Sequence, residues 1–359
     1  MEPDGESAER LFKEASPHVE KGVAVENLHL TLRFLGEAEP DGSVELLNTA
    51  RRFKEINAAV SEVRNLHSAT ALICSGVDSR LAEAFGNENF LPHITLTRKK
   101  SDIRALNTLV GMPLKFTAVS LMRSEFEEGQ RRYTPLGTRF LSPEKPFKCV
   151  LFDLDGTISD SAPGILGSVR YALEKLNFSP EDESVLRKFL GPPLVWSFKT
   201  YLGFSDSDAA EGLRLYRENY NEQGGKYIAK LYPGVENTLR ALKEKGIKLG
   251  VATVKPEVTA REVLEHFGLT KYFDVIAGSP PDIKHAEKQT VILSALNELG
   301  IKPSEEVLMA GDRLFDIESA KALGLRAFGA SYGFGGRAEL KTAGADYISD
   351  RIEEMLSLF

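Results

Sequence analysis

Apolar positions along this chain change their spacing near residue 146. Before that point the periods are mixed. Ser7–Gly22 puts Leu11, Phe12, Ala15 and Val19 on one side of a helix that Gly22 stops. Leu28–Phe34 alternates apolar and polar residues, and Ile94–Thr97 does the same, so both are predicted to be half-buried strands. A helical stretch is predicted near Ser43–Val63, an apolar strand over Thr70–Ser75, and a last strand over Val119–Arg123. Such a mixture predicts an α+β fold.

After Leu141-Ser142-Pro143-Glu144-Lys145-Pro146 the pattern becomes regular. The two prolines and polar residues there read as a domain junction, giving a first domain over 1–142 and a second over 147–359. Short continuous apolar runs at Cys149–Asp153, Lys248–Thr253, Val275–Ala277, Val307–Gly311 and Ala327–Ala330 read as buried parallel strands. Helices are predicted between them at Gly234–Lys245, Glu257–Phe267, Glu287–Leu299 and Asp316–Leu323. Together they predict an α/β doubly wound sheet. Residues 163–230 contain helical patterns and no obvious strand, a mostly helical insertion after the first strand.

Composition narrows the class. At 359 residues the chain exceeds what one hydrophobic core usually serves. With 42% hydrophobic and 27% charged residues it is too apolar for a disordered chain. The net charge is −7, and neither half is a polycation, which disfavours bulk electrostatic capture of nucleic acid. Its two cysteines, Cys74 and Cys149, lie in apolar runs without a CxxC, so they read as inert core thiols rather than a disulfide or zinc framework. Met1–Glu9 is acidic and polar, unlike a signal peptide, and no apolar run approaches the ~20 residues that span a bilayer. A cytoplasmic protein without a membrane partner is expected.

The chemistry of the second half is carried by carboxylates. Asp153-Leu154-Asp155-Gly156-Thr157 follows directly on the first apolar strand, and Asp312 and Asp316 follow a later one. In an open parallel sheet such strand ends converge on one crevice. Four carboxylates gathered there repel unless a cation neutralises them, and oxygen ligands without a His or Cys cluster favour Mg²⁺. One aspartate can attack phosphorus while its neighbour two residues on protonates the leaving oxygen. Gly156 lets backbone N–H groups approach a phosphoryl group, Thr253 offers a hydroxyl, and Lys288 adds positive charge at a helix start.

From about Phe147 to the C-terminus the chain resembles the haloacid dehalogenase superfamily of phosphohydrolases, in its phosphoglycolate-phosphatase-like branch. Asp153-Leu154-Asp155-Gly156-Thr157 with Asp160-Ser161 matches the first family motif, and Thr253 in Val251-Ala252-Thr253 the second. Lys288 is similar to the third, and Gly311-Asp312-Arg313 with Asp316 to the fourth. The resemblance implies that Asp153 is the nucleophile and Asp155 the general acid/base. It implies that Thr253 and Lys288 hold phosphate, and that Asp153, Asp155 (through its carbonyl) and Asp312 hold Mg²⁺, with Asp316 beside them. The helical insertion would be a cap closing over substrate, with Gly191-Pro192-Pro193 in its recognition region. Gly278–His285 departs from the family's Gly-Thr-Arg stretch, and Lys284 is a rival to Lys288 there.

The first half carries His29-Leu30-Thr31-Leu32 and His93-Ile94-Thr95-Leu96, two copies of one pattern. On a strand, residues i and i+2 share a face, so each copy presents an imidazole and a hydroxyl together. Side by side, the strands would line a cleft suited to opening a phosphodiester, one histidine as base and the other as acid. The pair resembles the 2H phosphoesterase superfamily, in its branch of 2′-5′ RNA ligases and RNA 2′,3′-cyclic phosphodiesterases. Glu26-Asn27-Leu28, Arg33-Phe34-Leu35-Gly36-Glu37, Phe90-Leu91-Pro92, Ser120–Glu125 and Tyr133-Thr134-Pro135-Leu136 add to it over about Ala8–Phe140. The domain is trimmed: Met1–Arg10 has no apolar strand, and the stretch between the copies is shorter than usual.

That resemblance implies His29 and His93 as catalytic residues, Thr31 and Thr95 as phosphate holders, and an RNA 3′ end as partner. Arg33, Arg98-Lys99-Lys100 and Arg131-Arg132 either meet its phosphates or are solvated loop charge. Trp196, Phe198 and Tyr201 read as core of the helical insertion. The two halves together are expected to hydrolyse phosphate esters, diester opening feeding monoester cleavage. The alternative is a phosphatase of a small phosphorylated metabolite or nucleotide, whose first domain only binds RNA or a nucleotide.

Overall fold

A computed structural model describes residues 1–35, 45–67, 69–87, 90–127, 130–180, 182–279 and 287–359. The chain divides into two compact units. One holds Met1–Phe147 with Arg326–Ser331 and Arg337–Phe359, the other Lys148–Leu325 with Tyr332–Gly336.

The first unit is built on β1 (Glu2–Pro3), β2 (Ile56–Leu66), β3 (Ala69–Ser75), β4 (His93–Thr97), β5 (Pro113–Glu127) and β6 (Gln130–Phe140). They form one antiparallel sheet in the order β1-β5-β2-β3-β4, with β6 also paired to β5. A helix, Gly5–Ala15, starts where the Asp4 carboxylate accepts from Ser7 N–H at 2.9 Å, and buries Leu11 and Ala15. Arg326–Ala330 (β13) and Tyr347–Ser349 (β14) add a parallel pair to this unit.

Several sequence expectations change here. The helix predicted near Ser43–Val63 is a short 3₁₀ segment, Glu45–Arg52, followed by β2. The pairing of β2 with β3 shifts register between Val60 and Glu62. Ile56, Ala58 and Val60 alternate, and the next buried apolar residue, Val63, arrives three residues later. A bulge therefore imitates helical spacing in the sequence. Leu28–Phe34 is not a ladder strand; it touches β4 through one antiparallel bridge, Leu30 to Ile94. The strand predicted at Val119–Arg123 extends over all of β5, β6 follows it as its partner, and Glu2–Pro3 is a strand the sequence reading lacked. The first helix ends at Ala15, with one 3₁₀ turn to His18.

The second unit has β7 (Cys149–Phe152), β10 (Lys248–Pro256), β11 (Val275–Ser279) and β12 (Val307–Gly311), parallel in the order β11-β10-β7-β12. Every residue of β7, β11 and β12 is buried, as strands covered on both faces must be. Helices Val235–Glu244, Glu257–His266, Lys288–Glu298 and Leu314–Ala322 alternate with the strands. The insertion enters and leaves through a short antiparallel pair, β8 (Ser159–Asp160) with β9 (Lys230–Leu231). Its helices Ala162–Lys175, Leu194–Leu202 and Asp206–Arg217 enclose an apolar cluster of their own, including Phe189, Phe198, Leu215, Tyr216 and Tyr220. Phe198 is core as expected, whereas Trp196 is half exposed against Tyr201. Cys74 and Cys149 are buried, and burial pushes both thiols up to about 12. Among the described residues, no helix is long and apolar enough to cross a membrane.

Candidate active site

Strand register brings the carboxylates to one edge. Phe152 on β7 pairs with Val251 on β10 and with Ala310 on β12. Asp153 is therefore one residue past that line, Thr253 two residues past it on one side and Asp312 two residues past it on the other. Asp316 sits in the first turn of Leu314–Ala322, where its Oδ2 accepts from the Arg313 N–H at 3.1 Å. Lys288 opens its helix.

Asp153, Asp312 and Asp316 converge: one oxygen of each lies within 4.8 Å of the others, and all three are buried. Lys288 Nζ stands 2.6 Å from Asp153 Oδ1 and 2.6 Å from Asp316 Oδ1. Asp312 accepts from the Phe334 N–H at 2.7 Å and from the Thr157 hydroxyl at 3.3 Å. Gly156 has φ +86°, and a Cβ there would overlap the Asp312 carboxylate. Gly311 and Gly333 have no room for a Cβ either, because Asp316 fills one space and Asp312 with the Gly156 carbonyl the other. Thr253 is buried at the edge of the cluster and its Oγ1 accepts from the Lys255 N–H at 3.3 Å.

The Lys288 ammonium pairs with two of the three buried carboxylates, Asp153 and Asp316, which leaves excess negative charge. Burial raises the Asp153 carboxyl to about 6, Lys288 opposing the shift and Asp316 adding to it. Burial, with Asp316 and Asp153 beside it, holds Asp312 well above the usual carboxylate range. Burial works against the Lys288 ammonium, but Asp153 and Asp316 outweigh it and hold the charge on firmly. An all-oxygen donor set left short of positive charge fits a hard divalent cation such as Mg²⁺.

Asp155 differs from the expectation of four gathered carboxylates. Its side chain turns away from the other three and meets Lys255, whose Nζ lies 2.8 Å from Oδ1. Lys255 is buried and also donates to the Tyr220 hydroxyl at 2.6 Å. Sequence reading missed Lys255 and Tyr220, and gave Arg313, quoted only as part of the fourth motif, no role of its own. Arg313 Nη1 donates to the Leu190 carbonyl, and its guanidinium occupies the space beside Gly191, which has φ +108°. Gly191 is thus tied to the carboxylate loop. The rival lysine, Lys284, lies outside the described residues.

In the first unit the two HxT copies are brought together. Leu30 bridges Ile94 in antiparallel sense, which sets His29 across from Thr95 and Thr31 across from His93. Leu30, Leu32, Ile94 and Leu96 are buried, so the histidines and threonines share the other face. His29 Nδ1 lies 2.7 Å from the Asn27 carbonyl and His93 Nδ1 2.9 Å from the Leu91 carbonyl. A carbonyl only accepts, so each Nδ1 carries the proton and each Nε2 is left as the basic nitrogen. Burial holds the His29 imidazolium below its ordinary range. Tyr133 sets its ring edge-on to His29, 5.0 Å between centroids, and its hydroxyl accepts from Arg98 at 3.1 Å. Arg33 donates to the Phe85 carbonyl, while the side chains of Arg131 and Arg132 lie outside the description.

Comparison with known proteins bears on the second unit. A 5′-nucleotidase of Pseudomonas aeruginosa is 38% identical over 192 residues, 54% of this chain and 86% of its own length. A phosphoglycolate phosphatase of Vibrio parahaemolyticus is 30% identical, covering 60% of this chain and 97% of its own. The crystal structure of a predicted phosphatase from Clostridium acetobutylicum superposes with a TM-score of 0.55 at 44% identity, over 59% of this chain and 97% of that one. Residues 150–330, half of the chain, match the family model for haloacid dehalogenase-like hydrolases. Parallel strands ending in this aspartate cluster, in a chain so matched, place the protein in the haloacid dehalogenase-like hydrolase family.

Proposed function

We propose that the second unit is a Mg²⁺-dependent phosphomonoester hydrolase working through an aspartyl phosphate on Asp153. The observation that carries the reading is Lys288 held between Asp153 and Asp316, 2.6 Å from each. Lys288 keeps Asp153 ionised and aimed, and offers a positive contact for an incoming phosphoryl group. Thr253 and the backbone around Gly156 hold that group's oxygens. Asp153 attacks phosphorus, Asp155 gives the leaving oxygen its proton, and Asp155 then takes a proton from the water that releases phosphate. Asp153, Asp312, Asp316 and the Asp155 carbonyl would hold Mg²⁺, which supplies charge stabilisation for the phosphoryl oxygens when bound.

The relatives named 5′-nucleotidase and phosphoglycolate phosphatase support a small phosphorylated metabolite or nucleotide as substrate. A phosphomonoester panel with Mg²⁺, read as inorganic phosphate, tests this. Release by the parent protein and background rates for Asp153→Asn are expected. Undiminished turnover in that variant would overturn it.

A second reading concerns the first unit: a 2′,3′-cyclic phosphodiesterase on the face of His29, His93, Thr31 and Thr95. What favours it is the matched pair of Nδ1–carbonyl hydrogen bonds, which leaves two Nε2 atoms on one face beside two hydroxyls. An RNA 3′ end would be the partner, and the opened product is a monoester the second unit can take. A 2′,3′-cyclic nucleotide should be opened by the parent protein and left intact by His29→Ala or His93→Ala. If the parent binds but does not open it, the first unit is a binding module instead.

A further inference from the structure

Lys255 stands two residues beyond Thr253 on β10, with its side chain 7% exposed. Its Nζ lies 2.8 Å from Asp155 Oδ1, 2.7 Å from Asp155 Oδ2 and 2.6 Å from the Tyr220 hydroxyl. An ammonium has three N–H donors, and here three acceptors face it. Asp155 sits on a turn, ahead of a glycine with positive φ, so its backbone alone does not fix where the carboxyl points. Among the described residues, the hydrogen-bond donor that meets this carboxyl is Lys255.

Tyr220 belongs to the helical insertion. It lies on the π-helical turn Glu218–Glu222 and stacks on Tyr216, with ring centroids 5.1 Å apart and planes 15° apart. Both rings are buried in the insertion's apolar cluster. Two further contacts tie the same stretch to the helix Glu257–His266: Lys226 Nζ to Glu262 Oε2 at 2.5 Å, and Thr259 with Asn221 at 3.5 Å. The hydroxyl that braces Lys255 is therefore placed by the cap, and the carboxyl that Lys255 braces belongs to the catalytic turn.

We propose that Lys255 is a positioning residue for proton transfer to the leaving group. It aims the Asp155 carboxyl, and takes its own place from Tyr220, so that seating of the cap completes the alignment of the proton donor. The inference rests on the phosphomonoesterase reading above. In the step concerned, the Asp153 O–P bond forms as the bond from phosphorus to the leaving oxygen breaks. The electron pair goes to that oxygen, and the proton comes to it from Asp155. In the second step water attacks phosphorus, its proton returns to Asp155, and Asp153 is freed. A donor out of line costs most where the leaving oxygen is most basic.

The test compares 4-nitrophenyl phosphate, whose leaving group needs little protonation, with an alkyl phosphate, which needs it fully. Lys255→Met should lower kcat/KM, which reads the leaving-group step and not the later release of phosphate, on the alkyl ester by about ten- to a hundredfold, at or below the lower end of the ~10²–10⁴ of general-acid catalysis, and on the nitrophenyl ester by less than about threefold. Lys255→Arg, which keeps a cation, should recover part of the loss. Tyr220→Phe, which keeps the stacked ring, should show the same bias in milder form. In an Asp155→Asn background, Lys255→Met should add nothing further. Equal losses on the two esters, or full additivity with Asp155→Asn, would overturn the positioning role alone. A parent protein that releases no phosphate from either ester would overturn the phosphomonoesterase reading as well.

Discussion

Gly156 and Asp312 share one space: at φ +86° the glycine leaves open the volume that a Cβ would fill, and the Asp312 carboxylate occupies it. Gly156→Ala should therefore do two things at once. It forces a side chain into a left-handed backbone conformation, which costs about 1–3 kcal/mol, and it displaces a carboxylate of the buried aspartate cluster. A melt should show the loss of stability. Phosphate release should fall by more than tenfold, and if turnover stays at the parent level the packing of Asp312 against this turn is irrelevant to activity.

Mg²⁺ should stabilise the protein. Asp153, Asp312 and Asp316 are buried with one oxygen of each within 4.8 Å of the others, and Lys288 pairs with Asp153 and Asp316, so excess negative charge remains. A ligand that binds only the folded state at a hundredfold excess over its dissociation constant adds about 2.7 kcal/mol. Melting with Mg²⁺ against melting with a chelator reads this directly. Asp312→Asn should lose the Mg²⁺-dependent rise, and an identical midpoint for the parent in both conditions would argue against a cation site.

Lys288→Met should reduce turnover by about 10²–10³, the scale seen when one preorganised charge is removed from a transition state. It also leaves Asp153 and Asp316 buried without their cation, a change that typically costs about 3–5 kcal/mol. Stability by denaturant titration and rate by phosphate release separate the two effects. Parent-like turnover in a folded Lys288→Met protein would remove Lys288 from the mechanism.

What the sequence could reveal depended on whether the signal was local. Asp153, Asp312, Asp316 and Lys288 sit at strand ends and helix starts, where a parallel sheet places its chemistry, so a linear reading could find them. Lys255 could not be found that way, because its partners Asp155 and Tyr220 are 100 and 35 residues distant and meet it only through the fold. The HxT copies were legible from Leu30, Leu32, Ile94 and Leu96, whose alternation survives even though the first copy has a single bridge. β2 was misread because its bulge after Val60 changes the apolar period in mid-strand.

Glu55, in the stretch misread as helix, is the centre of a buried polar network in the first unit. Its carboxylate accepts from Arg326 and Tyr347 and pairs with Lys115 at 2.8 Å. Arg326 also pairs with Asp346 at 3.1 Å. Glu55→Ala leaves Arg326 short of a counter-charge in a buried setting, and should cost about 3–5 kcal/mol. Denaturant unfolding checks the value, and a change below about 1 kcal/mol would show that the network relaxes without loss.

Lys341 should make the stability of the first unit rise with pH on the alkaline side. The residue is 1% exposed, and its Nζ is buried without a hydrogen-bond partner. Burial, chiefly, lowers its pKa from 10.5 to about 8; Glu2 opposes the shift and Arg337 adds to it. Between those two values the unfolded chain binds a proton that the folded chain does not, so raising the pH through this window favours the folded state. Below about pH 8 both states carry the charge and the full burial cost stands. A shift of this size corresponds to about 3 kcal/mol. Lys341→Met should therefore raise unfolding stability at pH 7 by up to that amount and flatten the climb between pH 8 and 10.5. Parallel denaturant titrations of parent and variant at pH 7 and pH 10 decide it: a parent protein no more stable at pH 10 relative to its variant than at pH 7 would show that Lys341 keeps an ordinary proton affinity in the fold.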